Sequence, residues 1–425
     1  MDKKQLFLNE VTSHIKSKEA QKYVADELSY HVKEAKKRLI GKGLTEAEAE
    51  EKAVEQMGSP TKLGQQLNKL HRPKVDWVLV LLLAATLFLG FLPLFSLGYM
   101  DERYFSINKT VIVLLGGAAA IGIMLIDYRK WQKWCWMFYA IGILILVMLR
   151  FFVSTMVNGV PIFRISPVSI ESTMAIPFFF LAWASLFNNR KLRLWQFFIL
   201  FLIPLSLFLA MPSLVNSYIY TIMVFVMLCW SKFSRKAIIT IWAVAAGIPV
   251  MIGLVFWRSI KLYQFERLLA FLHPEKYQNG AGYLYLHLKA LLAKAGWFGN
   301  HGGKDFIPEA HTNFVFASLI YHYGWVFAIG LVIILTLLGL RIIMVSLKIK
   351  DSYSKLLLSG AFALYSVQLV THIFMTLGLF PIISISLPFI SYGLMPTVSN
   401  AILIGVVLSV YRRKDLTISQ QILEK

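Results

Sequence analysis

The chain has 425 residues, 57% of them hydrophobic and 14% aromatic, with only 16% charged and a mean hydropathy of +0.62. That balance excludes an ordinary water-soluble globule and points to a polytopic membrane protein. The formal net charge is +20; residues 1–74 hold 15 Lys and Arg against 11 Asp and Glu, and the other 351 hold 28 against 12. The positive excess thus belongs mostly to the apolar part, where basic loops facing an anionic leaflet account for it better than nucleic acid does.

In chain order, residues 1–74 read as a small helical domain. Leu28, His31, Val32 and Ala35 follow helical spacing, and Gly41 and Gly43 interrupt it. Thr45 and Glu48 form a capping box that opens a second helix, TEAEAEEKAVEQM, which stops at Gly58-Ser59-Pro60. A third amphipathic piece, TKLGQQLNKLHRPK, leads to the membrane. This charged start is not a cleavable signal peptide, so the first span is expected to serve as its own insertion signal.

Ten apolar runs follow, near 77–97, 110–127, 134–153, 170–188, 194–211, 213–230, 237–257, 313–341, 354–379 and 384–411. A hydrocarbon core needs about 20 residues per helix, which these runs approach or exceed. Cys135 and Cys229 lie in or beside such runs without metal-ligand spacing and read as packing residues. Every second span is followed by a basic cluster, such as Arg129/Lys130/Lys133, Arg190/Lys191/Arg193 or Arg412/Arg413/Lys414. The positive-inside rule puts those loops, the N-terminal domain and both termini in the cytoplasm. The expected fold is therefore all-α: about ten transmembrane helices over residues 75–425, plus the helical domain at 1–74.

The segment 258–312 falls outside the cell by this alternation. It is long and carries Gly280, Gly282, Gly296, Gly299, Gly302 and Gly303, which implies tight turns or close approach to something bound. A flexible solvated crossover is the alternative. At its end PEAHTNFVF, Pro308 to Phe316, crowds Glu309, His311, Thr312 and Asn313 at the mouth of a span.

Together with FERLLAFLHPEKYQNGAGYLYLHLKALLAKAGWFGN, this segment resembles the large extracellular loop of the SEDS family, the bacterial wall-synthesis proteins FtsW, RodA and SpoVE. LPFISYG near the C-terminus resembles the family's other signature. The resemblance is close from about Trp257 to Arg413; the first half matches mainly in span count, with Asn158-Gly159 and the run Arg164 to Ser172 as faint echoes. It implies a peptidoglycan glycosyltransferase of the bacterial cytoplasmic membrane, acting on lipid II or another undecaprenyl-linked precursor, among membrane lipids, with a penicillin-binding transpeptidase as partner. It places the catalytic position at Asn313, Glu309 and His311, and substrate contacts at Arg267, Gly282, Tyr283, Thr312, Pro388, Ser391, Tyr392 and Gly393. Glycosyl transfer needs a base for the attacking hydroxyl and donors or cations for the departing diphosphate.

Asn313 stands where active members carry an acidic residue, and a primary amide is neither a general base nor a charged cation ligand. Glu309, His311 and Asp305 are the candidates to act instead, and participation of a divalent cation stays open. His372, Ser384, Ser386, Leu284, Leu394 and Met395 are further departures from the family pattern. A catalytically silent homologue that binds or transports the lipid-linked precursor, or regulates a wall-synthesis partner, is the other reading. The N-terminal piece resembles the helical prefix domain that precedes various bacterial permeases, which implies docking or regulation, with a stabilising appendage as the alternative.

Overall fold

The computed structural model describes residues 3–95, 102–152, 155–157, 160–165, 168–211, 214–256, 266, 269–300 and 305–416. Arg267, Asn158-Gly159, Trp257, Arg258, Lys261, Gly302, Gly303 and Lys304 lie outside the described residues. The chain divides into two compact units, one of residues 1–76, 349–351 and 410–425, the other of 77–348 and 352–409.

The first unit is built on α1 (Lys3–Ser13), α2 (Lys18–Ile40), α3 (Glu46–Glu55) and α4 (Pro60–Leu70). Ser17 caps α2 by accepting from the Ala20 amide, and Thr45 and Glu48 form the expected capping box on α3. Phe7, Val11 and Ile15 of α1 and its link pack against Ala20, Val24 and Leu28 of α2. Leu416, beyond the last span, is buried in the same cluster. Beside it the Arg413 guanidinium, 1% exposed, donates through Nε and Nη2 to the two oxygens of Glu19 at 2.9 and 2.8 Å. A buried guanidinium is tolerable only when paired in this bidentate way.

In the second unit the ten apolar runs become α5 (Trp77–Leu89) continued by the short α6 (Leu92–Phe95), α7 (Glu102–Leu125), α8 (Cys135–Phe151), α9 (Ala175–Asn188), α10 (Leu194–Ala210), α11 (Leu214–Leu228), α12 (Arg235–Phe256), α14 (Val315–Leu347), α15 (Ser352–Thr376) and α16 (Leu394–Arg412), with α13 (Tyr283–Lys294) inside the long loop. Among the described residues six spans are long and apolar enough to cross a membrane, and α9, α10 and α11 are shorter apolar helices. α15 is the most enclosed of the six, with 72% of its apolar window buried. Aromatic rings fill the space between α9, α10 and α11, where Trp183 Nε1 donates to the Tyr220 hydroxyl at 3.0 Å.

Three features differ from the hydropathy reading. The last span begins at Leu394, not 384, because Pro381, Pro388 and Gly393 break helical continuity and residues 381–393 run as irregular chain and turns. The second span begins at Glu102 rather than 110, so Lys109 sits within it. A three-stranded antiparallel sheet, β1 (Thr155–Val157), β2 (Val160–Ile165) and β3 (Val168–Ile170), precedes α9.

The long loop is folded onto α14 at a helix break. Gly324 takes φ 86° and ψ 173°, a conformation open essentially to glycine. The backbone groups freed there are taken up by the loop: Asn300 N donates to Tyr321 O at 2.8 Å, Trp325 N to Gly296 O and Val326 N to Trp297 O, both at 3.2 Å. A methyl group on Gly324 would overlap the Trp297 carbonyl, whereas one on Gly330 meets nothing within 4 Å.

Two outcomes are expected. Gly324→Ala should cost about 3 kcal/mol or more and lower the thermal midpoint of the detergent-purified protein, while Gly330→Ala leaves it unchanged or raises it; equal midpoints would refute the docking role of the break. Glu19→Gln should cost about 2 kcal/mol and raise amide hydrogen exchange over 410–416, whereas Arg413→Met, which removes the buried charge, should cost less.

Candidate functional site

The turn Pro308–Asn313 begins from its backbone. Glu309 has φ 46°, in the left-handed region that a residue with a side chain enters only when its surroundings impose it. Its carbonyl accepts from Thr312 N at 2.9 Å, Phe314 N at 3.2 Å and Thr312 Oγ1 at 3.3 Å. The turn folds the Glu309 carboxylate onto Asn313, whose Nδ2 donates to Glu309 Oε2.

A second segment clamps this turn. Tyr392 N donates to His311 O at 2.7 Å, and Ser391 Oγ donates to Thr312 O at 2.8 Å while accepting from Leu387 N at 2.8 Å. The segment is itself held by Lys109, fully buried, whose Nζ donates to the carbonyls of Phe389, Ile390 and Ser391 at 3.3, 3.4 and 3.1 Å. Phe389 has φ 65°. Gly90 completes the fit, since a methyl there would stand 2.6 Å from the Phe389 carbonyl oxygen. On the other side His372 Nδ1 donates to Ile385 O at 2.8 Å, and Tyr285 OH accepts from Ile382 N at 2.9 Å. His372 is thus a buried support of the segment.

These segments wall a cavity of about 680 Å³. Glu309, His311, Thr312 and Asn313 line it, with Glu171, Thr173, Asn216 and Gln368 from other elements and Ser384, Ser386 and Ser399 beside them. The remaining lining is apolar, including Ile162 of β2, Ile176, Leu214, Ile219, Leu364, Met395 and Leu403. Asn216 is held by donation to Ser172 Oγ at 2.7 Å, and Gln368 by Asn400 Nδ2 at 3.0 Å. A cavity that combines hydrogen-bonding groups with apolar walls is of the kind that takes up an amphiphile.

The other sequence candidates fall elsewhere. Ser391 and Tyr392 hold the turn, and neither they nor Pro388 and Gly393 line the cavity. Gly282 precedes α13, where a methyl would overlap the Pro274 carbonyl; exposed Tyr283 stacks on His287 at 5.6 Å. Neither lines the cavity. Asp305 is engaged by Lys294 Nζ at 2.9 Å and the Tyr321 hydroxyl at 3.1 Å, and these hydrogen bonds hold its carboxyl below the usual carboxylate range. It too lies off the cavity lining; of the three candidates to act in place of an acidic residue at 313, Glu309 and His311 line the cavity, together with Glu171. Asn216, Gln368 and Lys109 were missed; polar side chains inside apolar runs were the available signal. Among the described residues no three His, Cys, Asp or Glu side chains converge as a metal site.

His311 packs edge-on against Phe105 and Tyr392, with ring centroids at 6.0 and 5.9 Å, and its buried Nδ1 has no hydrogen-bond partner among the described residues. Burial lowers its imidazole below the ordinary value of 6.5, with the Glu309 charge opposing the shift.

Fold and composition define an integral membrane protein in which the Glu309 turn, at the end of the long loop, lines a cavity of mixed polar and apolar character. The profile of the family described as "Cell cycle protein", FtsW/RodA/SpoVE, matches residues 76–416, and the chain belongs to that family, whose members are integral to the bacterial inner membrane. It is similar to the probable peptidoglycan glycosyltransferase FtsW of Trichlorobacter lovleyi, 24% identical over 360 residues, 79% of this chain and 92% of that protein. Among solved structures it is similar to a chain of a peptidoglycan synthase complex that coordinates polymerization and crosslinking, with TM-score 0.69 and 25% identity over 80% of this chain and 98% of that one. Thermus thermophilus RodA shares the fold with TM-score 0.59 at 22% identity, over 80% of this chain and 97% of that one.

A neutral His311 in the folded state means that the unfolded chain binds more protons on acidification. The stability linked to it is therefore present above about pH 6.5 and is lost as pH falls through the lowered folded value. The thermal midpoint of the wild type should drop more steeply from about pH 7.5 to about pH 5 than that of His311→Gln; parallel profiles would contradict a buried, neutral His311.

Proposed function

We propose that this chain is a bacterial cell-wall glycosyltransferase that polymerises a lipid-linked disaccharide such as lipid II, with Glu309 as general base and Asn313 as its positioning partner. The observation that carries this reading is the pairing of the Glu309 carboxylate with the Asn313 amide in the wall of a cavity that carries both polar and apolar side chains. The isoprenoid tail lies along the apolar wall and the sugars meet the Glu309 turn. Glu309 takes the proton from the attacking hydroxyl as the new glycosidic bond forms, and the sugar's bond to the lipid diphosphate breaks. The diphosphate leaves with the bonding electrons, and Arg267, which the family resemblance implies as a substrate contact, is the cation proposed to stabilise it.

The turn faces the outside and both termini the cytoplasm, a topology supported by the alternation of basic loops. The similar synthase complex joins polymerization to crosslinking, which supports a penicillin-binding transpeptidase as partner.

Asn313 itself favours a second reading, a silent homologue that binds the same precursor. Purified protein given labelled lipid II separates the two. Glu309→Gln should reduce polymer about 10²–10⁴-fold, with Asn313→Ala costing less because the base remains. A wild type without polymer that gains it on Asn313→Asp would establish the silent reading. Lipid II crossing sealed vesicles without chain growth would instead indicate transport.

A further inference from the structure

The N-terminal unit contains a cleft of about 620 Å³ that plays no part in the reaction above. Its wall carries four cations, Lys16, Lys18, Arg72 and Arg412, and one carboxylate, Glu19. Both oxygens of Glu19 already accept from Arg413, so it does not neutralise the four. Like charges gathered round a concave surface repel one another and raise the local positive potential, a cost offset when an anion enters.

A second observation adds to the unneutralised charge of the wall. The Nε of Arg412 is buried and has no hydrogen-bond partner among the described residues. A guanidinium N–H withdrawn from water without an acceptor is unfavourable. Ser17 and Glu19, at the start of the 23-residue α2, line the same cleft, so the positive end of that helix adds to the field.

We propose that this cleft binds a phosphate group, held by Lys18, Arg72 and Arg412. The chain positions of two cations favour the phosphate of an anionic membrane lipid: Arg412 is the last residue of α16, and Arg72 lies just ahead of α5, both apolar spans. Side chains at the ends of spans stand at the level of lipid headgroups. A soluble phosphate compound offers the same chemistry from the aqueous side.

The test is binding to the full-length protein in detergent micelles, read by native mass spectrometry and by the shift in thermal midpoint. Probes are short-chain phosphatidylglycerol, short-chain phosphatidylcholine and inorganic pyrophosphate. Phosphatidylglycerol or pyrophosphate should bind at least about tenfold more weakly to the exposed-residue variant Lys18→Gln/Arg72→Gln, and to Arg412→Gln, than to the wild type. The loop control Arg190→Gln/Lys191→Gln should bind like the wild type. Preference for phosphatidylglycerol over pyrophosphate assigns the phosphate to lipid; the reverse assigns it to a soluble compound. Unchanged affinity in the cleft variants, or an equal loss in the loop control, would overturn the site and leave only general attraction to a basic protein. The readout requires no polymerisation, so it fails or succeeds independently of the proposed activity.

Discussion

A buried peptide group must find its hydrogen bond within the protein, and residues 381–393, an irregular stretch buried from Leu387 to Ser391, meet that demand without a helix. The carbonyls of Phe389, Ile390 and Ser391 converge on the Lys109 ammonium, Leu387 N on Ser391 Oγ, and Ile385 O on the His372 ring. A charged side chain inside a span is costly alone, and so is an unwound stretch of backbone; each satisfies the other.

The order so obtained is passed to the site. The same segment grips the Glu309 turn through Tyr392 N and Ser391 Oγ, and these bonds keep Glu309 in a left-handed conformation that a free loop would abandon. The result is a carboxylate and an amide in contact in the wall of a cavity that aliphatic and polar side chains line together. Asn313, being uncharged, does not repel the Glu309 carboxylate and supplies a donor to it.

The other end of the chain shows a comparable economy. The residues after α16 fold into the N-terminal helical unit, where Leu416 completes the apolar cluster and Arg413 is neutralised by Glu19. The neighbouring Arg412 keeps a buried donor unmatched among the described residues, and its side chain lines the basic cleft.

Much of the architecture was legible in the sequence because its signals are local. Hydropathy marks spans wherever apolar residues run together, Thr45 and Glu48 announce their capping box, and ordered motifs such as LPFISYG carry the family likeness. Hydropathy failed at 384–393 because buried irregular chain is as apolar as a helix, and it passed over the small sheet because short strands lack a periodic signal of useful length. Lys109 stands about 280 positions from the carbonyls it holds and Asn216 44 from Ser172, and no local pattern encodes such meetings. Composition and motif order thus determined that this is a membrane protein of the FtsW/RodA/SpoVE family with a polar turn at the mouth of a span. Only the tertiary structure decided that Asp305 is engaged elsewhere and that Glu309 meets Asn313 in the cavity, because packing of distant helices, not sequence spacing, selects which polar groups share a site.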